Sequence, residues 1–242
     1  MKLVFIRHGD PDYINDSLTQ KGCREAALLA EKVHKMKIDH CFLSPLGRAQ
    51  QTAHACIDTM DVVPVTCDWL QEFAPRIRRP DQPDRANICW DWMPADWTVC
   101  NEFYDYDKWF LNPVFQNSDA PQEFRHVHEE FGKLLASLGY RKDGNLFRAE
   151  RPNNETVVFF CHFGIEMVML SYLLHLPILP LWQGFLAPTT SITTVVTEER
   201  QPGIAAFRVI SYGDTAHLEL GGEPVSFSGR FCECYTNENE RH

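Results

Sequence analysis

Lys2-Leu3-Val4-Phe5-Ile6, followed at once by Arg7-His8-Gly9-Asp10-Pro11, admits few folds. An apolar, β-branched and aromatic run of this kind is a buried strand. Its carboxyl end delivers an arginine and a histidine into a tight turn. Open α/β sheets gather their ligands at such strand ends. Gly9 lets the backbone approach a bound group, and Pro11 ends the strand. An imidazole there can serve as a nucleophile while the adjacent guanidinium holds an anion. Arg-His-Gly is weak by itself and takes its weight from what lies downstream.

A second segment repeats the logic. Glu155-Thr156-Val157-Val158-Phe159-Phe160-Cys161 reads as a strand, His162-Phe163-Gly164 as a turn, and residues 165–174 as an apolar helix stopped before Pro177. One histidine after a strand is more often structural than catalytic. Two histidines placed alike at the ends of two buried strands point into one crevice of a parallel sheet.

The elements between them follow from local signals. Ser17 or Thr19 caps an alanine- and leucine-rich helix through residues 25–33. Residues 38–43 read as a strand. Ser44-Pro45 opens the next helix, with Ser44 as cap and Pro45 at the first helical position. Arg48 then lies in a first turn whose side chains lean back toward the free N–H groups, an anion site. A surface arginine paired with a carboxylate fits equally well. Residues 62–65 form a short strand, followed by Trp69-Leu70-Gln71-Glu72-Phe73.

From residue 74 to 121 the pattern changes to prolines, four tryptophans (Trp90, Trp92, Trp97, Trp109) and little periodicity. This reads as an irregular, aromatic-rich insertion over the active-site face of one domain spanning 1–242. Arg76, Arg78 and Arg79 at its start read first as a solvated cluster and second as contacts to another acidic group on a substrate. Residues 122–138 form a helix with Phe124, Val127, Phe131, Leu134, Leu135 and Leu138 on one face. His126 and His128 within it stand two apart, off the helical metal-pair spacing, and are structural. Residues 143–154 read as a polar connection, 191–196 and 204–210 as a hairpin, and the stretch after Gly221 as loose.

Composition limits the partners. The 242 residues suffice for one domain with an insertion. The 23 Lys and Arg against 33 Asp and Glu give a formal charge of −10, which disfavours nucleic acid but not a small anion held by local arginines. No apolar run approaches the ~20 residues of a membrane span. The apolar run at the start is too short for an export signal, and the nine cysteines are scattered and odd in number, which together imply reduced thiols in a cytoplasm. Cys232-Glu233-Cys234 lacks a second ligand pair at zinc spacing, so no metal is expected.

These residues resemble the histidine phosphatases, the superfamily of cofactor-dependent phosphoglycerate mutase. Residues 3–9 resemble its opening strand and Arg-His-Gly signature, and Leu18-Thr19 with Gly22 its first helix start. Ser44-Pro45-Leu46, Arg48-Ala49 and Gln51-Thr52-Ala53 resemble the second signature. Leu70-Gln71-Glu72, residues 158–164 and Asp214-Thr215-Ala216-His217-Leu218 follow in the family's order. The resemblance implies a three-layer α/β/α sandwich with a mostly parallel central sheet.

It also implies a metal-independent phosphatase without a cofactor, acting on a small phosphomonoester through a phosphohistidine. In that reading His8 attacks phosphorus, Arg7, Arg48 and His162 surround the phosphoryl oxygens, and Glu72 is the acid. A mutase, or a protein that only binds phospho-ligands, are the alternatives; a metallohydrolase lacks the carboxylates. Asn15 is near His8 but off the mutase spacing, residues 10–13 differ from the mutase run, and Phe163 replaces a small residue. These departures favour a phosphatase.

Overall fold

Unbroken apolar runs become the central strands in the computed structural model, which describes residues 1–237. In chain order the main strands are β1 (Lys2–Arg7), β2 (His40–Leu43), β3 (Pro64–Thr66), β4 (Tyr140–Asp143), β5 (Leu146–Ala149), β6 (Thr156–Cys161), β7 (Ile192–Gln201) and β8 (Ile204–Asp214). They form one eight-stranded sheet in the order β3-β2-β6-β1-β7-β8-β5-β4. The β3-β2-β6-β1 half is parallel. Beyond β1 every pairing is antiparallel, including the β7-β8 hairpin foreseen in the sequence.

Side chains alternate across the sheet, so β1 feeds two cores. Leu3 and Phe5 pack in the larger core with Phe42, Phe159 and Cys161. Val4 and Ile6 pack in the smaller one with Cys41, Leu43, Val158 and Phe160. Helices α1 (Gln20–Val33) and α2 (Gly47–Ile57) cover the smaller core, and α3 (Ala120–Ser137) and α4 (Phe163–Leu174) the larger. The result is three layers, helices on both faces of the sheet.

Local chemistry sets the helix starts. Thr19 caps α1, accepting from Gly22 N at 3.0 Å. The helix expected to open at Ser44-Pro45 begins instead at Gly47. Its cap comes from elsewhere in the chain: Asp16 Oδ2 accepts from Gly47 N at 2.6 Å. Ser44 is thereby released for another partner. Helix α4 is apolar on nearly all sides and almost wholly buried, since the sheet lies under it and the 74–121 segment lies beside it.

Three stretches differ from the sequence reading. The polar connection after residue 138 is a hairpin, β4-β5, that extends the sheet. Within 74–121, Trp92, Phe103, Trp109 and Phe115 are fully or nearly buried and stack edge-on into one another. The segment thus builds its interior from rings where aliphatic residues are few. Of the stretch expected to be loose, residues 223–226 dock on the domain, where Glu223 pairs with Lys21 and Arg24 and Ser226 Oγ donates to Asp10 Oδ1, and residues 238–242 lie outside the described residues.

Candidate active site

The register of the parallel strands makes the site. Arg7 on β1 lies opposite Cys161 on β6, so the next residue along each strand is a histidine. His8 N donates to Cys161 O, and His8 O accepts from Thr190 N, both at 3.1 Å. Gly9 follows, and its N–H donates to Thr52 Oγ1 at 3.0 Å. A Cβ at Gly9 would lie 2.8 Å from Gly22 O, so no other residue lets the turn close against α1.

The imidazole of His8 is 2 % exposed. Its Nδ1 stands 2.7 Å from Gly9 O. A carbonyl only accepts, so Nδ1 carries the proton and Nε2 carries the lone pair. Burial, then the charge of Arg7, holds His8 well below the usual imidazole range. The ring of His162 lies 5.0 Å away, tilted at 56°. Its Nε2 shares a hydrogen bond of 2.8 Å with Ser44 Oγ. Its Nδ1 is buried with no hydrogen-bond partner. Burial, then His8, Arg48 and Arg7, keeps His162 neutral as well.

Two guanidinium groups act on both rings. Arg7 is buried and donates from Nη1 to Ala187 O. Gly229 packs on its outer side, where a Cβ would come within 3.1 Å of Nη2. Arg48 pairs with a carboxylate, as one of its two sequence readings expects, and also stands within electrostatic reach of the histidines. It is 8 % exposed and its charge reaches His8, His162 and Glu72, while its Nη1 pairs with Asp16 Oδ1 at 2.5 Å. The Tyr13 ring stacks near it, 5.4 Å from centroid to Cζ.

Glu72 arrives from the loop after the short turn Asp68–Leu70. Its Oε1 accepts from Phe73 N at 2.8 Å and from Ile165 N, in the first turn of α4, at 3.2 Å. Burial raises its pKa above the usual carboxyl range, against the opposing pull of Arg7 and Arg48. Gly164 makes this approach possible, since a Cβ there would lie 2.7 Å from Glu72 Oε1 and 2.6 Å from Trp90 Nε1. Trp90 meets Phe163 edge-on at 5.6 Å and donates to Phe73 O.

The structure therefore gathers Arg7, His8, Arg48, Glu72 and His162. Asn15 stays outside, exposed and bonded to Asp12. Arg76 and Arg78 lie on a separate two-stranded hairpin, lining a cavity of about 400 Å³ with Ile77, Pro113 and Val114. Arg79 is buried and paired with Asp81 and Asp91, so it belongs to no solvated cluster. His128 bonds Val168 O as a structural residue. Among the described residues no group of three or more His, Cys, Asp or Glu side chains is placed to hold a metal ion.

Residues 3–98 match the model of the histidine phosphatase superfamily, branch 1. A mutant phosphoserine phosphatase of Entamoeba histolytica, crystallised with phosphoserine, shares the fold at a TM-score of 0.57 and 18% identity, over 90% of this chain and 98% of that one. The α-ribazole phosphatase of Shigella flexneri does so at 0.56 and 17%, over 89% and 97%. The family match thus covers the part of the chain that carries Arg7, His8, Arg48 and Glu72, and the solved structures show the same fold. A probable phosphoglycerate mutase, GpmB, of Yersinia pestis (strain Pestoides F) is 26% identical over 231 residues, 91% of this chain and 96% of the relative.

Several supporting residues of the site escaped the sequence reading. Ser44 looked like a cap and is the partner of His162. Asp16 carries no motif, yet it fixes both Arg48 and the start of α2. Thr190, in a left-handed conformation at φ 56°, holds the His8 backbone. The His217 motif explains it, because His217 Nε2 lies 3.0 Å from Thr190 Oγ1. Glu25 is fully buried and accepts from Asp10 N at 2.8 Å. A buried glutamate inside an alanine-rich helix was the one signal available.

Proposed function

We propose that this chain is a metal-independent phosphatase that hydrolyses a small phosphomonoester through a phosphohistidine on His8. The observation that carries the reading is the His8–Gly9 hydrogen bond, which leaves Nε2 unprotonated in the field of two buried arginines. The lone pair of Nε2 attacks phosphorus and the ester oxygen leaves. Arg7 and Arg48 stabilise charge on the phosphoryl oxygens, and the open Nδ1 face of His162 completes the cradle. Glu72, whose burial favours the protonated form, gives its proton to the leaving oxygen. As carboxylate it then takes a proton from the water that cleaves the phosphohistidine. Phosphate leaves and His8 is restored.

Hydrolysis is favoured over isomerisation by the placement of the remaining arginines. A mutase holds a second anionic group on its substrate, and the exposed Arg76 and Arg78 line a cavity that includes none of the five gathered residues. The 74–121 segment is assigned the choice of substrate, through Trp90 against Phe163 and Gly164. The nine free cysteines support a reducing cytoplasm, and no described helix is long and apolar enough to cross a membrane.

The test is metal-free hydrolysis of p-nitrophenyl phosphate by the wild type and His8→Ala, with acid quench to trap the phosphoenzyme. Turnover and a labelled enzyme in the wild type only are expected. Full activity in His8→Ala overturns the reading.

A further inference from the structure

Asp16 is an awkward residue for its place. It lies in the left-handed region at φ 47°. It also sets a carboxylate beside a pocket proposed to take an anion. Stability does not account for it, because its side chain is 40 % exposed and an ion pair there contributes little. Capping α2 through Gly47 N at 2.6 Å does not need an acid either. Asparagine tolerates the same backbone and accepts the same hydrogen bond. Asparagine has one acceptor oxygen, however, and Asp16 uses two: Oδ2 takes Gly47 N, and Oδ1 takes Arg48 Nη1 at 2.5 Å.

The loop around Asp16 holds that carboxylate still. Asp12 Oδ1 accepts from Ile14 N at 3.0 Å and from Asn15 N at 3.2 Å. Leu18 N donates to Gln51 Oε1 at 2.8 Å, which ties the loop to α2. The two lie so close that a Cβ at Gly47 would come within 2.2 Å of Asp16 O. Tyr13, from the same loop, covers one face of the Arg48 guanidinium. Arg48 is therefore held at Nη1 and on one face. Its Nε–H lies on the edge of the guanidinium that Nη1 does not share, and this nitrogen is buried with no hydrogen-bond partner. A buried donor left unpaired is costly unless a ligand supplies the acceptor. We propose that Asp16 is a positioning residue for Arg48: by holding Nη1 it turns the Nε edge toward the phosphoryl group, whose oxygen accepts from that nitrogen. This role rests on the phosphatase reading and is separable from it.

Calorimetric titration of inorganic phosphate into the wild type, Asp16→Asn and Asp16→Gly tests it, and the sign of the change decides. Removing an acid beside the pocket tightens phosphate binding if charge alone acts. Losing the orientation of Arg48 weakens it. A loss of about tenfold is expected in both variants, roughly what one charge-assisted hydrogen bond contributes, and KM for p-nitrophenyl phosphate rises with it. Glycine also relieves the left-handed backbone, so agreement between the two variants assigns the loss to the side chain. A second measurement needs no Asp16 variant. In wild type isotope-labelled at arginine, the Arg48 Nε–H resonance, assigned with Arg48→Lys, is expected to shift saturably as inorganic phosphate is added. Unchanged or tighter phosphate binding in either folded variant, or an Arg48 Nε–H resonance that stays in place while phosphate binds, overturns the role of Asp16 alone. Absence of phosphate binding to the wild type overturns the phosphatase reading instead.

Discussion

The imidazoles of His8 and His162 lie 5.0 Å apart because Arg7 and Cys161 are in register on adjacent parallel strands. Each histidine is one residue past that pair. His162 is turned by Ser44, whose hydroxyl meets Nε2 at 2.8 Å and leaves Nδ1 on the open side. Ser44→Ala orphans a fully buried ring nitrogen, at about 1–3 kcal/mol. Expected are a lower thermal midpoint and roughly tenfold slower p-nitrophenyl phosphate turnover, with phosphoenzyme still trapped. Unchanged turnover would show that His162 needs no orientation.

Glu72 offers a test through the leaving group. If it protonates the departing oxygen, Glu72→Gln slows hydrolysis of an alkyl phosphate by about 10²–10⁴, the usual reach of general acids. A p-nitrophenyl ester, whose leaving group is stable as an anion, loses far less in the phosphorylation step. Glu72 has a raised pKa, so its acid form is lost as pH climbs through that value, and the wild type's alkyl phosphatase rate falls on the alkaline side. That limb disappears in Glu72→Gln. Equal slowing of both esters would remove Glu72 from the acid role.

Gly164→Ala probes the packing of the acid. The new methyl meets Glu72 Oε1 and Trp90 Nε1 well inside contact distance. The cost is about 1–3 kcal/mol of stability, as for other overpacked sites. Displacement of Glu72 also reduces kcat on alkyl phosphates more than KM changes. Denaturant melts and steady-state kinetics on the same sample separate the two effects.

His217 gives a sign for acid stability. Burial depresses its pKa from the ordinary 6.5 to about 4. A histidine neutral in the fold contributes stability that is present above 6.5 and lost as pH falls toward 4. Replacement by Gln removes that proton uptake, so the drop in thermal midpoint between pH 6.5 and 4 is smaller in His217→Gln than in the wild type. A parallel course for the two proteins would mean that another group carries the acid sensitivity.

The strands that hold the site were legible because their chemistry is local. Val4, Ile6, Val158 and Phe160 are buried on one face and Leu3, Phe5, Val157 and Phe159 on the other, so both runs read as apolar throughout. Arg7, His8 and His162 follow from where those runs stop. What escaped was everything supplied from a distance. Asp16 caps a helix 31 residues on, a partnership that no spacing rule encodes. The β4-β5 hairpin was missed because its strands are polar on their exposed faces. The aromatic interior of 74–121 was read only as an irregular insertion over the active-site face, since tryptophan fits a core or a surface until its neighbours are known.

The position of β1 has a kinetic consequence. The strand that ends in the nucleophile lies inside the sheet, paired on one side with residues 156–161 and on the other with 192–196. Neither neighbour is near it in sequence. Closure of loops this long precedes any reward from pairing, so formation of the pocket is a late and slow event in folding. A nascent chain of 98 residues already carries Arg7, His8, Arg48 and Glu72, yet β1 has no strand on either side of it. Such an intermediate exposes an apolar strand with both edges open, the kind of species that chaperones retain.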